Sequence, residues 1–240
     1  MKKVLLACVA LGLMASTASA TIIATDPAGD EFSFNSNLDL IQLEANSSAT
    51  DLVLTLSVNG DIGATTWGKY LLFIDTDNVA GSGGASQFPD ADPPTNDANP
   101  WVRNVAVGDT NHLPEYFLGS WVDFGGGTQL FGFGGGAWTQ GTSPAHVITP
   151  GAVSTISYTI PLADLGIGAG DTIFLEAFST GGNSFDTAND TVNSPSDDWN
   201  AAAWGDQATL SNSTPYTVVP EPASLILIGL GGLVLLRRRR

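Results

Sequence analysis

The clearest pattern in the chain is strict alternation. Leu52, Leu54, Leu56 and Val58 fall on one side of an extended segment, with Thr55 and Ser57 on the other. Successive strand side chains point to opposite faces, so this run predicts a strand with one face buried. Asn59-Gly60-Asp61 ends it with turn chemistry. Leu38 to Ala45 reads as its partner, with Ala49-Thr50-Asp51 near the turn. Alternation returns from Val153 to Ile160, where Ile156, Tyr158 and Ile160 point inward and Thr155, Ser157 and Thr159 outward. Lys69 to Ile74 carries a continuous apolar run, which suits a central strand covered on both faces. Ile173 to Phe178 is a further strand, with Glu176 inside it. Trp101 to Val107, Tyr116 to Phe124 and Gln129 to Phe133 carry weaker strand signals, and the triple glycines at 125–127 and 134–136 suggest a flexible hairpin. Pro161 and Gly166 bracket a single helical turn at Leu162-Ala163-Asp164-Leu165. No 3.6-residue period runs through 21–219. Two polar stretches, Asp77 to Pro100 and Asn183 to Ala203, read as long loops. Short strands separated by Gly, Pro, Asn and Asp turns predict a sandwich or barrel.

The ends differ in character from this body. Lys2 and Lys3 precede an apolar run from Val4 to Met14, and Ala18-Ser19-Ala20 offers small residues for cleavage. That order predicts a signal peptide over 1–20, handled by the Sec translocon and signal peptidase, with Ala18 and Ala20 at the cut. The only cysteine, Cys8, lies inside this segment, so disulfides cannot stabilise the body. At the other end, Pro220-Glu221-Pro222 is followed by a largely apolar run of 14 residues, Ala223 to Leu236, and then by Arg237, Arg238, Arg239 and Arg240. At about 1.5 Å per residue the apolar run reaches roughly 21 Å, short of the roughly 30 Å hydrocarbon core. Four arginines hold the end on the cytoplasmic side. The tail therefore predicts a short transmembrane helix that anchors the chain transiently in the inner membrane.

These three parts in this order resemble the PEP-CTERM sorting tag of Gram-negative bacteria. The resemblance implies recognition by exosortase, a membrane-embedded protease, with cleavage near Pro220-Glu221-Pro222. It also implies a final location at the cell surface or in an exopolysaccharide biofilm matrix.

Charge narrows the partners further. Lys69 and Arg103 are the only basic residues in 21–219, against 23 of the 24 acidic ones, so the body carries 2 − 23 = −21. Phosphate backbones need Lys and Arg, so nucleic acid is excluded as a partner. Divalent cations and neutral glycans remain.

Several body segments share an order with one structural group. Thr25-Asp26-Pro27-Ala28-Gly29-Asp30 precedes Leu38-Asp39-Leu40; Leu72-Phe73-Ile74-Asp75-Thr76-Asp77 ends a strand; Tyr158 to Gly166 precedes Asp171 to Phe178. This is similar to carbohydrate-binding β-sandwiches such as carbohydrate-binding module family nine, the DOMON-type domains and the C-terminal domain of glucodextranase. The resemblance covers most of 21–218, except 81–150. It implies an all-β, antiparallel two-sheet β-sandwich of jelly-roll or immunoglobulin-like type with long loops. A signal helix and a transmembrane helix (219–240) would flank it. It further implies sugar binding in some relatives and structural calcium in many.

The residues offer matching chemistry. Calcium takes six to eight oxygen ligands. Asp75 and Asp77 share a strand face, and Asp26 and Asp30 bracket a turn with free carbonyls, so each pair is a candidate ligand set. For sugar, tryptophan rings cover the apolar faces of pyranoses while carboxylates take hydroxyls. Trp199 beside Asp197-Asp198, and Trp101 after the first long loop, are the candidate platform. His112 and His146, the only histidines, have no nucleophile motif beside them, and no pair among so many carboxylates is singled out as catalytic. The expectation is a non-catalytic exported protein that binds or organises glycan. The alternatives are a calcium-crosslinked matrix protein without a specific ligand and a secreted glycan-active enzyme.

Overall fold

The computed structural model describes residues 20–84, 101–193 and 202–219. In chain order the strands are β1 (Thr21–Thr25), β2 (Leu40–Ser47), β3 (Asp51–Val58), β4 (Lys69–Asp75), β5 (Val105–Val107), β6 (Tyr116–Trp121) and β7 (Gly127–Gly134). There follow β8 (Ala137–Gln140), β9 (Ala145–Thr149), β10 (Ser154–Pro161), β11 (Thr172–Thr180), β12 (Ala188–Thr191), β13 (Ala208–Leu210) and β14 (Thr214–Thr217). One antiparallel sheet has the order β1-β2-β3-β10-β9. The other runs β12-β11-β4-β6-β7-β8, and β14 also pairs with β11. These two sheets form a β-sandwich.

The alternation explains the packing. Leu52, Leu54, Leu56 and Val58 of β3 pair in register with Ile160, Tyr158, Ile156 and Ser154 of β10. Their apolar members join Leu43 and Ala45 of β2 on the inner face, all at most 1% exposed. Tyr70, Leu72 and Ile74 of β4 and Ile173, Leu175 and Ala177 of β11 meet them from the second sheet in one continuous core. Two buried tyrosines find polar partners, as apolar surroundings demand: Tyr158 Oη lies 2.8 Å from Ser120 Oγ, and Tyr70 Oη donates to the Asn37 carbonyl at 2.5 Å.

β4 is covered on its other face as well. Leu71 and Phe73 pack with Phe117, Phe178, Val105, Val107, Ala188, Ala208 and Leu210 in a second core. Its lid includes β5 and β13, which pair in parallel. The unbroken apolar run at 70–74 thus follows from burial on two sides.

Several expected elements change. Trp101 to Val107 narrows to a strand of three residues, and Tyr116 to Phe124 stops at Trp121, where Asp123–Gly125 turns in a 3-10 helix. The Asn183–Ala203 stretch is not all loop: β12 lies within it, fully buried against β11. The parallel β5–β13 pair departs from a purely antiparallel sandwich. The helical turn sits at Leu162–Asp164 after Pro161 as a 3-10 helix, and the glycine-flanked hairpin is β7–β8. No helix among the described residues is long and apolar enough to cross a membrane. The expected signal helix and transmembrane helix fall outside those residues.

Candidate functional site

Two carboxylate clusters and one aromatic cleft stand out. The first cluster is built where the sheets meet at one edge. Asp26 follows β1, Asp30 closes the turn after it, and Asp190 lies on β12. Carboxylate oxygens of these three lie within 4.8 Å of one another. Gly29 holds the turn with φ +88°, a conformation that disfavours any Cβ, and its N–H donates to Asp39 Oδ2 at 2.7 Å. Asn59 Nδ2 donates to the same oxygen at 2.9 Å. Asp190 Oδ2 accepts from the Leu40 N–H at 2.5 Å, which ties β12 to the start of β2 across the seam.

The electrostatics here are one-sided. Burial, and then the negative charges of Asp30 and Asp39, push the Asp26 carboxyl up to about 8. Burial and then Asp26 push Asp190 up to about 9, against the opposing pull of the Leu40 N–H. Glu31 is raised by burial, with Asp39 and Asp30 adding to it. The two basic residues of the body are placed elsewhere: Lys69 Nζ donates to the Gly182 carbonyl at 2.8 Å, and Arg103 lies 5.1 Å over the Phe185 ring.

The second cluster, Asp75, Asp77 and Glu115, has the same composition and a different fate. Asp75 Oδ1 accepts from the N–H groups of Asp77 and Asn78 at 3.1 and 2.9 Å, and its Oδ2 meets His112 Nδ1 at 2.9 Å. Glu115 accepts from the Thr76 N–H at 2.8 Å, and Ser82 Oγ bonds both Glu115 and Asp77. His112 stacks on Phe174 with ring centroids 3.6 Å apart. These oxygens are used in organising the loop that follows β4. Burial still raises the Glu115 carboxyl above its ordinary range.

The cleft, of about 580 Å³, is lined by Lys69, Trp101, Trp121, Asp123, Gly182 and Ser184. Its two indoles lie 5.6 Å apart at 57°. Glycine seats both rings: a Cβ on Gly119 would lie 2.4 Å from Trp101, and one on Gly127 would lie 2.1 Å from Trp121. Gly127 is the cross-strand partner of Trp121, which is why the ring can lie flat there. Burial lowers the Lys69 ammonium from its usual range, while Asp186 and Asp123 oppose that shift. Phe124, next to Asp123, has φ +50° and is 100% exposed.

Sequence spacing thus picks out two of the three members of each carboxylate cluster. Asp190 and Glu115 were missed because each is brought in by a distant strand pairing. Trp101 does line a cleft; Trp121 and Phe124 were not foreseen, although an aromatic beside the glycine run at 125–127 was a usable signal. Trp199, Asp197 and Asp198 lie outside the described residues. So do Ala18, Pro220, Glu221, Pro222 and Arg237 to Arg240. Ala20 directly precedes β1 and is exposed. Val219, the residue before Pro220, is pinned to the sandwich by its N–H to Ser47 Oγ at 2.9 Å.

Residues 218–240 match the PEP-CTERM protein-sorting motif. The chain carries a PEP-CTERM sorting segment. The motif implies export, membrane-anchored sorting in a Gram-negative bacterium and processing by exosortase. No curated protein matches the chain. Among solved structures it is similar to one concerned with pH-induced modulation of Streptococcus parasanguinis adhesion by Fap1 fimbriae. The identity there is 12%, the coverage 85% of this chain and 92% of that one, and the TM-score 0.24. Likeness of that degree carries neither fold nor function.

Proposed function

We propose that the PEP-CTERM body is a non-catalytic glycan-binding sandwich, finally held at the cell surface or in the exopolysaccharide matrix, with the Trp101–Trp121 cleft as its sugar site. The carrying observation is the pair of indoles at 5.6 Å, flanked by one cation and one carboxylate in the same cleft. Sugar rings offer apolar C–H faces to indoles, and Lys69 and Asp123 are placed to take hydroxyls. Phe124 adds an exposed aromatic face beside Asp123. Neutral polymers suit the body's net charge of −21, counted over residues 21–219. His112 is held by Asp75 and Phe174, and His146 lies on β9 in register with Tyr158 of β10.

The test is retention of the full chain, purified in detergent, on glycan arrays and on the producer's own exopolysaccharide. Trp121→Ala should weaken binding at least tenfold, about 1.4 kcal/mol, while a thermal melt checks that the variant is folded. Absence of retention on every glycan would remove this reading. Release of reducing sugar from the polymer would favour the enzyme alternative instead.

A further inference from the structure

The two acidic clusters can be told apart by where their buried lone pairs go. In the Asp75 cluster they meet backbone N–H groups, a hydroxyl and an imidazole. In the Asp26 cluster only some do: Asp190 and one oxygen of Asp39 accept N–H groups, while other buried oxygens meet no donor. Asp39 is 0% exposed, and its Oδ1 meets no donor. Asp26 Oδ2 and Glu31 Oε2 are buried without a donor as well. Asp39 and Glu31 lie within hydrogen-bonding reach of each other, as do Asp26 and Asp30. An acceptor buried without a donor costs about 1–3 kcal/mol, more when charged. Three such groups, around carboxylates of Asp26, Asp30 and Asp190 that lie within 4.8 Å of one another, call for positive charge.

We infer that Asp26, Asp30, Asp39 and Asp190 hold one calcium-class divalent cation at the seam where β1 and β2 meet β12. The donor set selects the ion. It is all oxygen, whereas zinc favours nitrogen and sulfur, and the one histidine paired to an aspartate, His112, belongs to the other cluster. Carboxylates from three separate segments and a glycine-hinged turn suit the large, irregular shell of calcium better than the rigid octahedron of magnesium. Glu31 stands beside Asp39 as a further donor. Asp39 and Asp190 are at most 1% exposed, so the ion would be enclosed by one chain. It would act within a molecule, not as a cross-link between molecules. Its consequence is mechanical. It would join the first strand of one sheet to an edge strand of the other, where Leu40 N–H already reaches Asp190 and Phe32 N–H reaches the Asn189 carbonyl. This inference stands independently of the glycan reading.

The experiment uses the full chain in detergent, stripped with EDTA. Equilibrium dialysis against radioactive calcium should show one tightly retained ion per chain. Calcium at about a hundred times its dissociation constant should raise the melting midpoint by about 5–10 °C. Sodium chloride at matched ionic strength should not reproduce the shift. Asp26→Asn should weaken calcium binding at least tenfold, yet melt no lower than the wild type in EDTA, because the Asp26 Oδ2 it replaces has no donor to lose. Asp77→Asn should keep the calcium shift. The inference is overturned if the wild type retains no calcium, if salt alone gives the full shift, or if Asp77→Asn abolishes the response and Asp26→Asn does not.

Discussion

A carboxylate's role in this chain is decided by the donors within reach of its two oxygens, not by its neighbours in sequence. Asp75 and Asp39 are both buried and both surrounded by acidic groups. Asp75 accepts two backbone N–H groups and faces an imidazole; Asp39 leaves one oxygen without a donor. The structural role assigned to Asp75 is testable. Asp75→Ala leaves the Asp77 and Asn78 N–H groups without their acceptor and frees His112. Hydrogen bonds to charged groups contribute about 1.5–3 kcal/mol, so the variant should lose about 3 kcal/mol in urea unfolding. Its calcium-induced shift in melting temperature should survive. Loss of that shift, with stability otherwise unchanged, would mean that the clusters have been assigned the wrong way round. Sequence spacing could nominate Asp26 with Asp30 and Asp75 with Asp77, since each pair is local. It could not rank them, because the deciding donors come from loop backbone and from residues such as His112 and Ser82.

Among elements, legibility follows burial on one face. β3 and β10 alternate cleanly because one side meets the core and the other does not, and both were readable within a residue or two of their ends. β4 was readable for the opposite reason, being apolar on both faces. β12 was not: Ala188-Asn189-Asp190-Thr191 has the composition of a loop, yet all four residues are buried. Its polar side chains are absorbed by the seam, with Asn189 Nδ2 and Ser179 Oγ both donating to the Leu38 carbonyl. The β6–β7 pair carries the cleft and gives a sharp test. In Gly127→Ala the new methyl would lie 2.1 Å from the Trp121 ring. The indole must leave its seat, at a cost of about 1–3 kcal/mol as in other overpacked sites. Glycan retention should fall with it, while calcium binding at the seam, which Trp121 does not line, should be unaffected. Unchanged retention would show that Trp121 does not shape the sugar site.

For the molecule as a whole, pH and calcium should act against each other. In chelator the seam carboxyls hold their protons more tightly when folded than when unfolded, Asp26 to about 8 and Asp190 to about 9 against an ordinary 3.8. As pH rises past that ordinary value, the unfolded chain sheds protons that the folded chain still keeps. The folded state's advantage is therefore complete below about pH 4 and is lost as pH climbs through 8 to 9. Glu31 and Glu115, both raised, work in the same direction. Repulsion within a body of net charge −21 over residues 21–219 adds a broader decline, one that salt screens. Calcium should flatten the pH profile, since a bound cation compensates the ionised carboxylates that protons would otherwise neutralise, and sodium should flatten it only in part. Melting curves from pH 4 to 9, in chelator, in calcium and in matched salt, separate these terms. A metal-free chain whose stability instead rises steadily over that range would contradict the burial and mutual repulsion that place these carboxyls together.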